Sequence, residues 1–189
     1  MPPASFDARP ILFGMITIVL AWLSRASLLR PYTHGFPRFF AWEAIAAQVL
    51  LSLPVWFRDW LSWHQILSWL LLCGSLVPLV LGMRALRLRG APDAAARSAP
   101  ELLAFERTTR LVSDGIFRYI RHPLYSSLCL LSWGVFLKEP SLLGGFLAVL
   151  ATGLLLITAQ RDEAECLQTF GAAYAEYMRR TRMFIPLIF

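Results

Sequence analysis

The stretch RYIRHPLYSS, residues 118–127, stands where an arginine-rich segment meets a long apolar one. It sets Arg121 and His122 directly before Pro123, and Tyr125 follows two positions later. Proline is favoured in the first turn of a helix, where its missing N–H costs nothing. We therefore predict that an apolar helix begins at Pro123. The free N–H groups and the dipole at such a helix start favour an anion, and the two basic side chains strengthen that preference. The alternative is that the basic side chains only reach out to lipid phosphates.

The composition is that of a membrane protein. Hydrophobic residues make up 57% of the 189 positions and charged residues only 16%, whereas a soluble domain carries about 25% charged residues. The net charge of +6 then points to anionic lipid headgroups. We expect no nucleic-acid partner, because the arginines flank apolar spans and do not form a soluble basic face.

The three cysteines, Cys73, Cys129 and Cys166, lie far apart and form no CxxC or Cys/His cluster. Neither a disulfide framework nor a metal site is predicted from them. We expect free, buried thiols that behave as small hydrophobic side chains.

The apolar runs predict an all-α integral membrane protein. A helix needs roughly 20 apolar residues to cross the hydrocarbon core. We find no cleavable signal and expect the first run to be retained as a span. Five candidate spans result, at residues 11–29, 39–57, 64–83, 124–137 and 142–159. Within the third, Pro78 is predicted to kink the helix. The last two flank the four-residue turn KEPS, which suits a helical hairpin.

Arginines predict the orientation of these spans. They are concentrated in the segment 84–122 and in the tail from residue 160, with two more in the loop 30–38. We expect these parts and the cofactor site in the cytoplasm, the N-terminus outside, and the protein in a bacterial inner membrane. Within the long loop, 90–100 is predicted to be a flexible insert.

The hairpin has a geometric consequence for the site. Because its arms are antiparallel, Arg121 and His122 must lie at the same membrane depth as Asp162 and Glu163. In the tail, Glu163, Leu167, Phe170, Tyr174 and Tyr177 recur at steps of three and four and predict one helical stripe. Glu163 either pairs with an arginine or accepts hydrogen bonds from a ligand.

Two segments together resemble a known family. They are VSDGIFRYIRHPLY (112–125) and DEAECLQTFGAAYAEYMRRTRMFIP (162–186), separated by the apolar hairpin. In this order and spacing they are similar to the isoprenylcysteine carboxyl methyltransferase and phospholipid methyltransferase superfamily. The resemblance covers 109–186. It implies an integral membrane enzyme that uses S-adenosylmethionine to methylate a lipophilic acceptor entering from the bilayer, such as an isoprenylcysteine-like carboxylate, a lipid amine or a thiol.

The resemblance also implies positions for the site. The cofactor pocket would be lined by Leu111, Val112, Phe117, His122, Pro123, Leu124, Tyr125, Asp162 and Glu163. For an amine or thiol acceptor, Glu163 or His122 would remove a proton. For a carboxylate, Arg121 or Arg161 would position it. Three positions depart from the family: Phe117 stands where the family often has a tyrosine, Ser127 where it commonly has a glycine, and Thr158 where prenylcysteine enzymes carry an arginine.

We expect a single domain over 1–189, with three transmembrane helices over 11–83 and the cofactor site built from the loop, hairpin and tail over 84–189. Methyl transfer from a sulfonium needs alignment and exclusion of water more than a strong acid or base. A sterol-reductase-like enzyme that uses NADPH is one alternative. A non-catalytic membrane subunit or a small transporter is another, for which Arg25 and Glu43 would mark a polar pathway. Otherwise we expect these two residues to pair or to reach the interface.

Overall fold

The fold was obtained as a computed structural model, which describes residues 7–93, 95 and 102–185. Most of the predicted insert at 90–100 therefore lies outside the described residues. The described part contains α-helices and no β-strand, in agreement with the all-α prediction. In chain order the α-helices are α1 (Arg9–Leu23), α2 (Arg25–Leu28), α3 (Gly35–Ser52), α4 (Trp63–Arg89), α5 (Pro123–Phe136), α6 (Leu142–Phe170) and α7 (Ala172–Arg180), with single 3₁₀ turns at Leu53–Val55, Ala104–Glu106 and Gly115–Arg118.

Three of these helices are long and apolar enough to cross a membrane. They are α3 with its following turn (Gly35–Val55), α4 and α6. Helices α1 and α5 are apolar but have only 15 and 14 residues, and at 1.5 Å per residue a 14-residue helix covers about 21 Å of the roughly 30 Å hydrocarbon core. The count of five spans therefore stays a prediction.

The first predicted span, 11–29, is not one helix. Its α-helical backbone stops at Ser24, which caps α1, and the short helix α2 follows. Serine favours such positions because its hydroxyl competes with the helical backbone for hydrogen bonds. The predicted pair of Arg25 and Glu43 also does not form. Arg25 lies over the ring of Trp22, 5.1 Å from its centroid, while Glu43 accepts a hydrogen bond of 2.7 Å from Thr17.

The helices pack with their polar groups inside and their apolar faces outside. Helix α4 packs along α5, α3 packs along α6, and α5 and α6 contact each other as the predicted hairpin. Ser132 in α5 donates to Gln48 in α3 at 2.7 Å, and Ser68 in α4 donates to the carbonyl of Gly134 at 2.7 Å. Such interhelical bonds are typical of membrane helix bundles. The outward faces carry large apolar side chains that are more than half exposed, among them Ile18, Trp22, Leu70, Val80, Phe146 and Val149.

One expectation about α4 is revised and one stays a prediction. The helix continues through Pro78 to Arg89, and the kink predicted at Pro78 stays a prediction. Cys73, predicted to be buried, lies exposed on its surface, whereas Cys129 and Cys166 are partly buried, and all three thiols are free. A small apolar side chain such as Cys73 is compatible with a face that points towards lipid.

The tail is not a single helix either. Helix α6 runs through the acidic pair to Phe170, and Gly171 breaks it with a φ of +56°. Only glycine adopts this backbone conformation readily. The predicted stripe is therefore split between two helices: Leu167 is exposed, whereas Tyr174 and Tyr177 on α7 turn back into a core with Phe117.

Candidate active site

The motif at the start of α5 is built as the proline predicts. Pro123 occupies the first turn of α5 and His122 is the residue that caps it. Helix α4 packs very closely against this turn at Gly82. A Cβ atom built on Gly82 would lie 2.9 Å from Pro123 Cγ. The absence of a side chain at Gly82 therefore lets α4 fix the position of the motif.

The last described segment of the chain runs alongside the motif. The backbone N–H of Arg121 donates to the carbonyl of Arg182 at 2.8 Å, and the N–H of His122 donates to that of Met183 at 3.1 Å. In return, the N–H of Arg182 donates to the carbonyl of Tyr119 at 3.2 Å. These bonds pair the backbone of the motif with the tail of the chain. The sequence pattern did not predict this contact.

The acidic pair meets the motif, as the hairpin geometry predicts. Glu163 Oε1 accepts a hydrogen bond from Arg121 Nε at 2.6 Å and lies 3.1 Å from His122 Nε2. Arg121 Nη1 also donates to the carbonyls of Thr181 and Met178. The Arg121 guanidinium thus joins the start of α5 to α6 and to the tail, and of the two alternatives for Glu163 the structure shows the arginine pair.

Asp162 and Tyr125 form the second contact between the start of α5 and the acidic pair on α6. The Tyr125 hydroxyl donates to Asp162 Oδ2 at 3.3 Å, and His122 Nδ1 lies 3.6 Å from the same oxygen. The rings of His122 and Tyr125 stack with centroids 5.4 Å apart and planes 19° from parallel. His122 therefore bridges the two carboxylates, with one ring nitrogen near each.

A cavity of about 390 Å³ opens beside these groups. It is lined by every predicted cofactor residue except one: Leu111, Val112, Phe117, His122, Pro123, Leu124, Tyr125 and Asp162. Glu163 lies behind this wall, held by Arg121 and His122. Arg121 also lines the cavity. The third predicted catalytic residue is His122. It is buried, and its two ring nitrogens lie near the carboxylates of Asp162 and Glu163.

The cavity continues from this polar end into an apolar groove. Helix α3 contributes Trp42 to the groove, α4 contributes Leu76 and Leu79, and α5 contributes Leu128 and Leu131. Leu76 and Leu79 are 55% and 38% exposed, so the groove reaches the outer surface of the bundle. One cavity thus joins a charged end to an apolar side opening.

A largely buried charge cluster that the sequence analysis missed lies beside the cavity. It contains Arg38, Glu106, His34 and Glu165, of which Arg38 and Glu106 line the cavity. Arg38 Nη1 pairs with Glu106 Oε1 and lies 3.3 Å from His34 Nε2. The backbone N–H and Nδ1 of His34 both contact the Glu165 carboxylate at 2.8 Å. The cluster ties the loop before the motif to α3 and α6.

The members of this cluster outside the helices have shifted pKa values. Burial by itself would lower the pKa of His34, but hydrogen bonds to Glu106 and Glu165 outweigh it and raise that pKa to about 10. Burial would likewise raise the pKa of Glu106, but Arg38 and His34 hold it at about 2. Both groups are therefore charged at neutral pH. Charged side chains at the end of an otherwise apolar helix were the available signal for the cluster.

Arg161, the other arginine that was predicted to position an acceptor carboxylate, lies away from the cavity. Thr158, at the position of the family arginine, is fully buried and donates to the carbonyl of Leu154 at 2.7 Å. Arg161 donates to the carbonyls of Pro31 and Thr33 and does not line the cavity. The basic side chains of the cavity wall are Arg38, Arg121 and His122.

Known proteins match the same part of the chain. The phospholipid methyltransferase family matches residues 100–173. The methanethiol S-methyltransferase of a Pseudomonas species is 25% identical over 156 residues, which cover 78% of this chain and 54% of that protein. Methanethiol S-methyltransferase 2 of Bradyrhizobium diazoefficiens is 32% identical over 39% of this chain and 28% of its own.

A eukaryotic protein matches as well. The protein-S-isoprenylcysteine O-methyltransferase of Schizosaccharomyces pombe is 36% identical over 41% of this chain and 34% of its own. The chain therefore spans about half the length of these relatives at most. No solved structure matches the chain significantly. In the motif, in the acidic pair that meets it and in its apolar helices, the chain is thus similar to these membrane methyltransferases, and its match to the phospholipid methyltransferase family is confined to residues 100–173.

Proposed function

We propose that the protein transfers a methyl group from S-adenosylmethionine to a lipophilic acceptor at the membrane. The observation that carries the proposal is the two-ended cavity, which joins a charged end formed by both halves of the motif to an apolar groove between α3 and α4. A water-soluble cofactor needs a polar site and a lipid-soluble acceptor needs an apolar one. The two sites must also lie close enough for the methyl group to pass between the reactants. The names of the matched relatives, all of them methyltransferases, support the same activity.

The charged end suits the cofactor. The whole cavity, charged end and groove together, has a volume of about 390 Å³, within the range of roughly 300–1,000 Å³ found for small-molecule sites. The carboxylate of Asp162 is partly exposed to the cavity and suits a cationic sulfonium or ammonium group. The rings of Phe117 and Tyr174 supply flat apolar surface for an adenine. When bound, S-adenosylmethionine supplies a methyl group on a positively charged sulfur.

The side chains around this end align the reactants and exclude water. Val112 and Phe117 are buried and close the cavity on the side of the loop. His122, set between Asp162 and Glu163, keeps both carboxylates in place and is the base that the proposal assigns for an acceptor with a proton to lose. Arg121 uses its donors on Glu163 and on backbone carbonyls, which supports a positioning role for it.

The apolar groove suits an acceptor that enters from the bilayer. Trp42, Leu76 and Leu79 offer apolar surface at the side of the bundle. An acceptor chain lying there would present its head to the charged end of the cavity. Because the arginine bias favours a cytoplasmic location for this end, we propose that the cofactor enters from the cytoplasm.

Labelled methyl transfer tests the proposed function. The purified protein is incubated with S-adenosylmethionine that carries a radiolabelled methyl group and with a total membrane extract of lipids and proteins. We expect label in a lipophilic product, and a loss of at least about tenfold in Asp162→Asn. Asp114→Asn, which removes only an exposed pair with Arg89, is the matched control. Transfer that is absent from wild type, together with oxidation of NADPH by the same extract and protein, would favour the reductase alternative.

A further inference from the structure

One of the two buried tyrosines on α7 has a hydroxyl without a hydrogen-bond partner. Tyr174 and Tyr177 are 4% and 8% exposed, and their ring centroids lie 5.6 Å apart. The Tyr177 hydroxyl donates to the carbonyl of Phe117 at 2.7 Å. Among the residues that the structure describes, the Tyr174 hydroxyl makes no hydrogen bond. Buried polar groups are almost always hydrogen-bonded, so this hydroxyl calls for a partner that those residues do not provide.

The Tyr174 hydroxyl can be reached from the cavity. Tyr174 lines the cavity and does not line the neighbouring depression between the loop and α7, to which Tyr177 contributes. Its hydroxyl oxygen is also not sealed inside the protein. The rest of the side chain packs in a core with Val112 and Phe117, so the surface that Tyr174 retains opens into the cavity. Burial raises the pKa of Tyr174, and the neutral hydroxyl can donate one hydrogen bond and accept another.

The surroundings of Tyr174 form an uncharged aromatic slot at one end of the cavity. We define this slot by Phe117, Phe170 and Tyr174, which line the cavity together with Leu111 and Val112. Helix α4 shows how far the slot lies from the apolar groove. Leu86 packs at the slot and Leu76 lines the groove, and at 1.5 Å per residue they lie about 15 Å apart along α4.

Asp162 lies between the slot and the groove. Cys166, one turn further along α6, lines the cavity beside Phe170, and its sulfur is 3.7 Å from Asp162 Oδ1. The cavity thus passes from an uncharged aromatic slot to a carboxylate. A ligand that fits this order has a flat, neutral end and a cationic middle.

The parts of S-adenosylmethionine differ in the same way. Its adenine is flat and uncharged, its sulfonium is positive, and its amino-acid end carries an ammonium and a carboxylate. Burying the amino-acid end in the aromatic slot would leave two charges without partners, which is costly. The adenine stacks favourably on aromatic side chains, but its polar edge still needs hydrogen bonds. In the slot, the free hydroxyl of Tyr174 can supply them.

We propose that the aromatic slot holds the adenine of the cofactor and that the Tyr174 hydroxyl hydrogen-bonds the edge of the base that carries the 6-amino group. The hydroxyl accepts from the amino N–H and donates to the adjacent ring nitrogen. Both edges of adenine that face away from the ribose include this amino group. The inference rests on the proposed function and deepens it, because it assigns the residue that selects the base and the direction in which the cofactor lies.

The competing explanation is that Tyr174 only packs the start of α7. The melting temperature of the ligand-free protein in detergent separates the two roles. Tyr174→Phe keeps the ring and removes an unpaired hydroxyl, so it should melt at or above the temperature of wild type. Tyr177→Phe is the matched control, because it removes a hydroxyl that is bonded to Phe117, and it should melt roughly 2–4 °C lower. A Tyr174→Phe protein that melts as low as this control would overturn the proposal.

Binding of two ligands tests the contact with the base. S-adenosylhomocysteine and its analogue in which hydrogen replaces the 6-amino group are titrated into purified wild type, Tyr174→Phe and Tyr177→Phe. Wild type and Tyr177→Phe should bind S-adenosylhomocysteine about two- to tenfold more tightly than the analogue, as expected for one neutral hydrogen bond. Tyr174→Phe should bind both ligands equally, with the affinity that wild type shows for the analogue.

The same titrations distinguish this proposal from the proposed function. If wild type binds S-adenosylhomocysteine and Tyr174→Phe binds it equally well, the role of Tyr174 is wrong while the proposed function stands. If Tyr174→Phe binds it more weakly but still prefers it to the analogue as strongly as wild type does, the hydroxyl contacts another part of the cofactor and the assignment of the edge is wrong. Wild type that binds neither ligand would contradict both proposals.

Discussion

At the scale of single residues, the site depends on charges that are paired inside the protein. Glu163 is the centre of one such group, because its carboxylate holds both Arg121 and His122. His34 and Glu106 belong to the other, which ties the loop to α3 and α6. In both groups, burial would neutralise each side chain if its partner were absent. Removing one member should therefore cost more than the removal of a surface charge.

Glu163→Gln should destabilise the protein measurably. Glutamine keeps the size but removes the charge that Arg121 and His122 share, and a hydrogen bond to a charged group contributes about 1.5–3 kcal/mol. We expect the free energy of unfolding, measured by denaturant titration in mixed micelles, to fall by this order. Glu176→Gln, which affects only an exposed pair with Arg180, should leave it unchanged. Equal stability of the two variants would contradict the account of the buried group.

His34 and Glu106 predict how stability depends on pH. Since the pKa of His34 is raised from 6.5 to about 10, its charge stabilises the folded protein fully below pH 6.5, and this contribution is lost as the pH rises towards 10. Since the pKa of Glu106 is lowered from 4.5 to about 2, its contribution is complete above pH 4.5 and is lost as the pH falls. The cluster should therefore stabilise most between pH 4.5 and 6.5.

The measurement is the melting temperature of purified protein between pH 6 and 10. Wild type should lose stability over this interval, and His34→Gln should lose less of it. His64→Gln is the control, because His64 lies at the other end of the bundle, where it contacts the carbonyl of Leu137. A pH dependence that His34→Gln leaves unchanged would contradict the assignment.

At the scale of elements, α6 and α7 show how one glycine positions part of the cavity wall. Helix α6 carries the acidic pair to the motif and ends at Gly171. The positive φ there turns α7 back, so that Tyr174 and Tyr177 pack against Phe117 and line the cavity. The Tyr177 hydroxyl completes the contact by donating to the carbonyl of Phe117 at 2.7 Å. The break in the tail thus closes the cavity, where a continuous helix would carry both tyrosines away.

Gly171→Ala should therefore strain the turn. A Cβ at this position meets nothing within 4 Å, so the cost comes from the backbone alone, about 1–3 kcal/mol for a residue other than glycine in such a sparsely populated conformation. Gly153→Ala is the matched control, because Gly153 lies inside α6, also with open space around it, and there alanine is neutral or stabilising. Thermal unfolding of the two variants checks this. A Gly171→Ala protein as stable as the control would mean that the turn is not strained by a side chain.

At the scale of the whole molecule, the charged groups of the site collect at one end of the bundle. Arg38 at the start of α3, Arg121 just before α5 and Asp162 near the end of α6 all line the same cavity. The other end is closed by Lys138, which is buried and bonded to Gln65 at 3.0 Å. Helices α3 to α6 therefore alternate in direction, although α4 and α5 are joined by the long loop and not by a short turn.

The arginine bias predicts which end faces the cytoplasm. A fluorescent reporter fused to the C-terminus should be bright in cells, because it folds only on the cytoplasmic side. An alkaline phosphatase inserted at the turn 138–141 should be active, since that turn lies at the opposite end. The reverse pattern would place the cavity outside and would remove the route by which a cytoplasmic cofactor reaches it.

Much of this site could be predicted from the sequence, because its two main parts carry local signals. Pro123 marks a helix start, and a four-residue turn between two apolar runs forces Arg121 and Asp162 to the same end. Arg38 carried only its charge at the start of an apolar helix as a signal, and no local pattern linked it to Glu106. They lie 68 positions apart, outside any periodic pattern, and only the packing of α3 beside α6 and of the loop beside α3 brings them together. Gly171 was missed because a regular spacing of three and four continues across it.

Titration of S-adenosylhomocysteine into the purified protein by calorimetry tests the central claim most directly. Wild type should bind it and should not bind NADPH. Tyr125→Ala removes the ring that stacks on His122 and the hydroxyl bonded to Asp162, and we expect binding about tenfold weaker, equivalent to about 1.4 kcal/mol. Tyr119→Ala, at a side chain that is 56% exposed, should bind like wild type. Heat with NADPH and none with S-adenosylmethionine or S-adenosylhomocysteine would contradict the account.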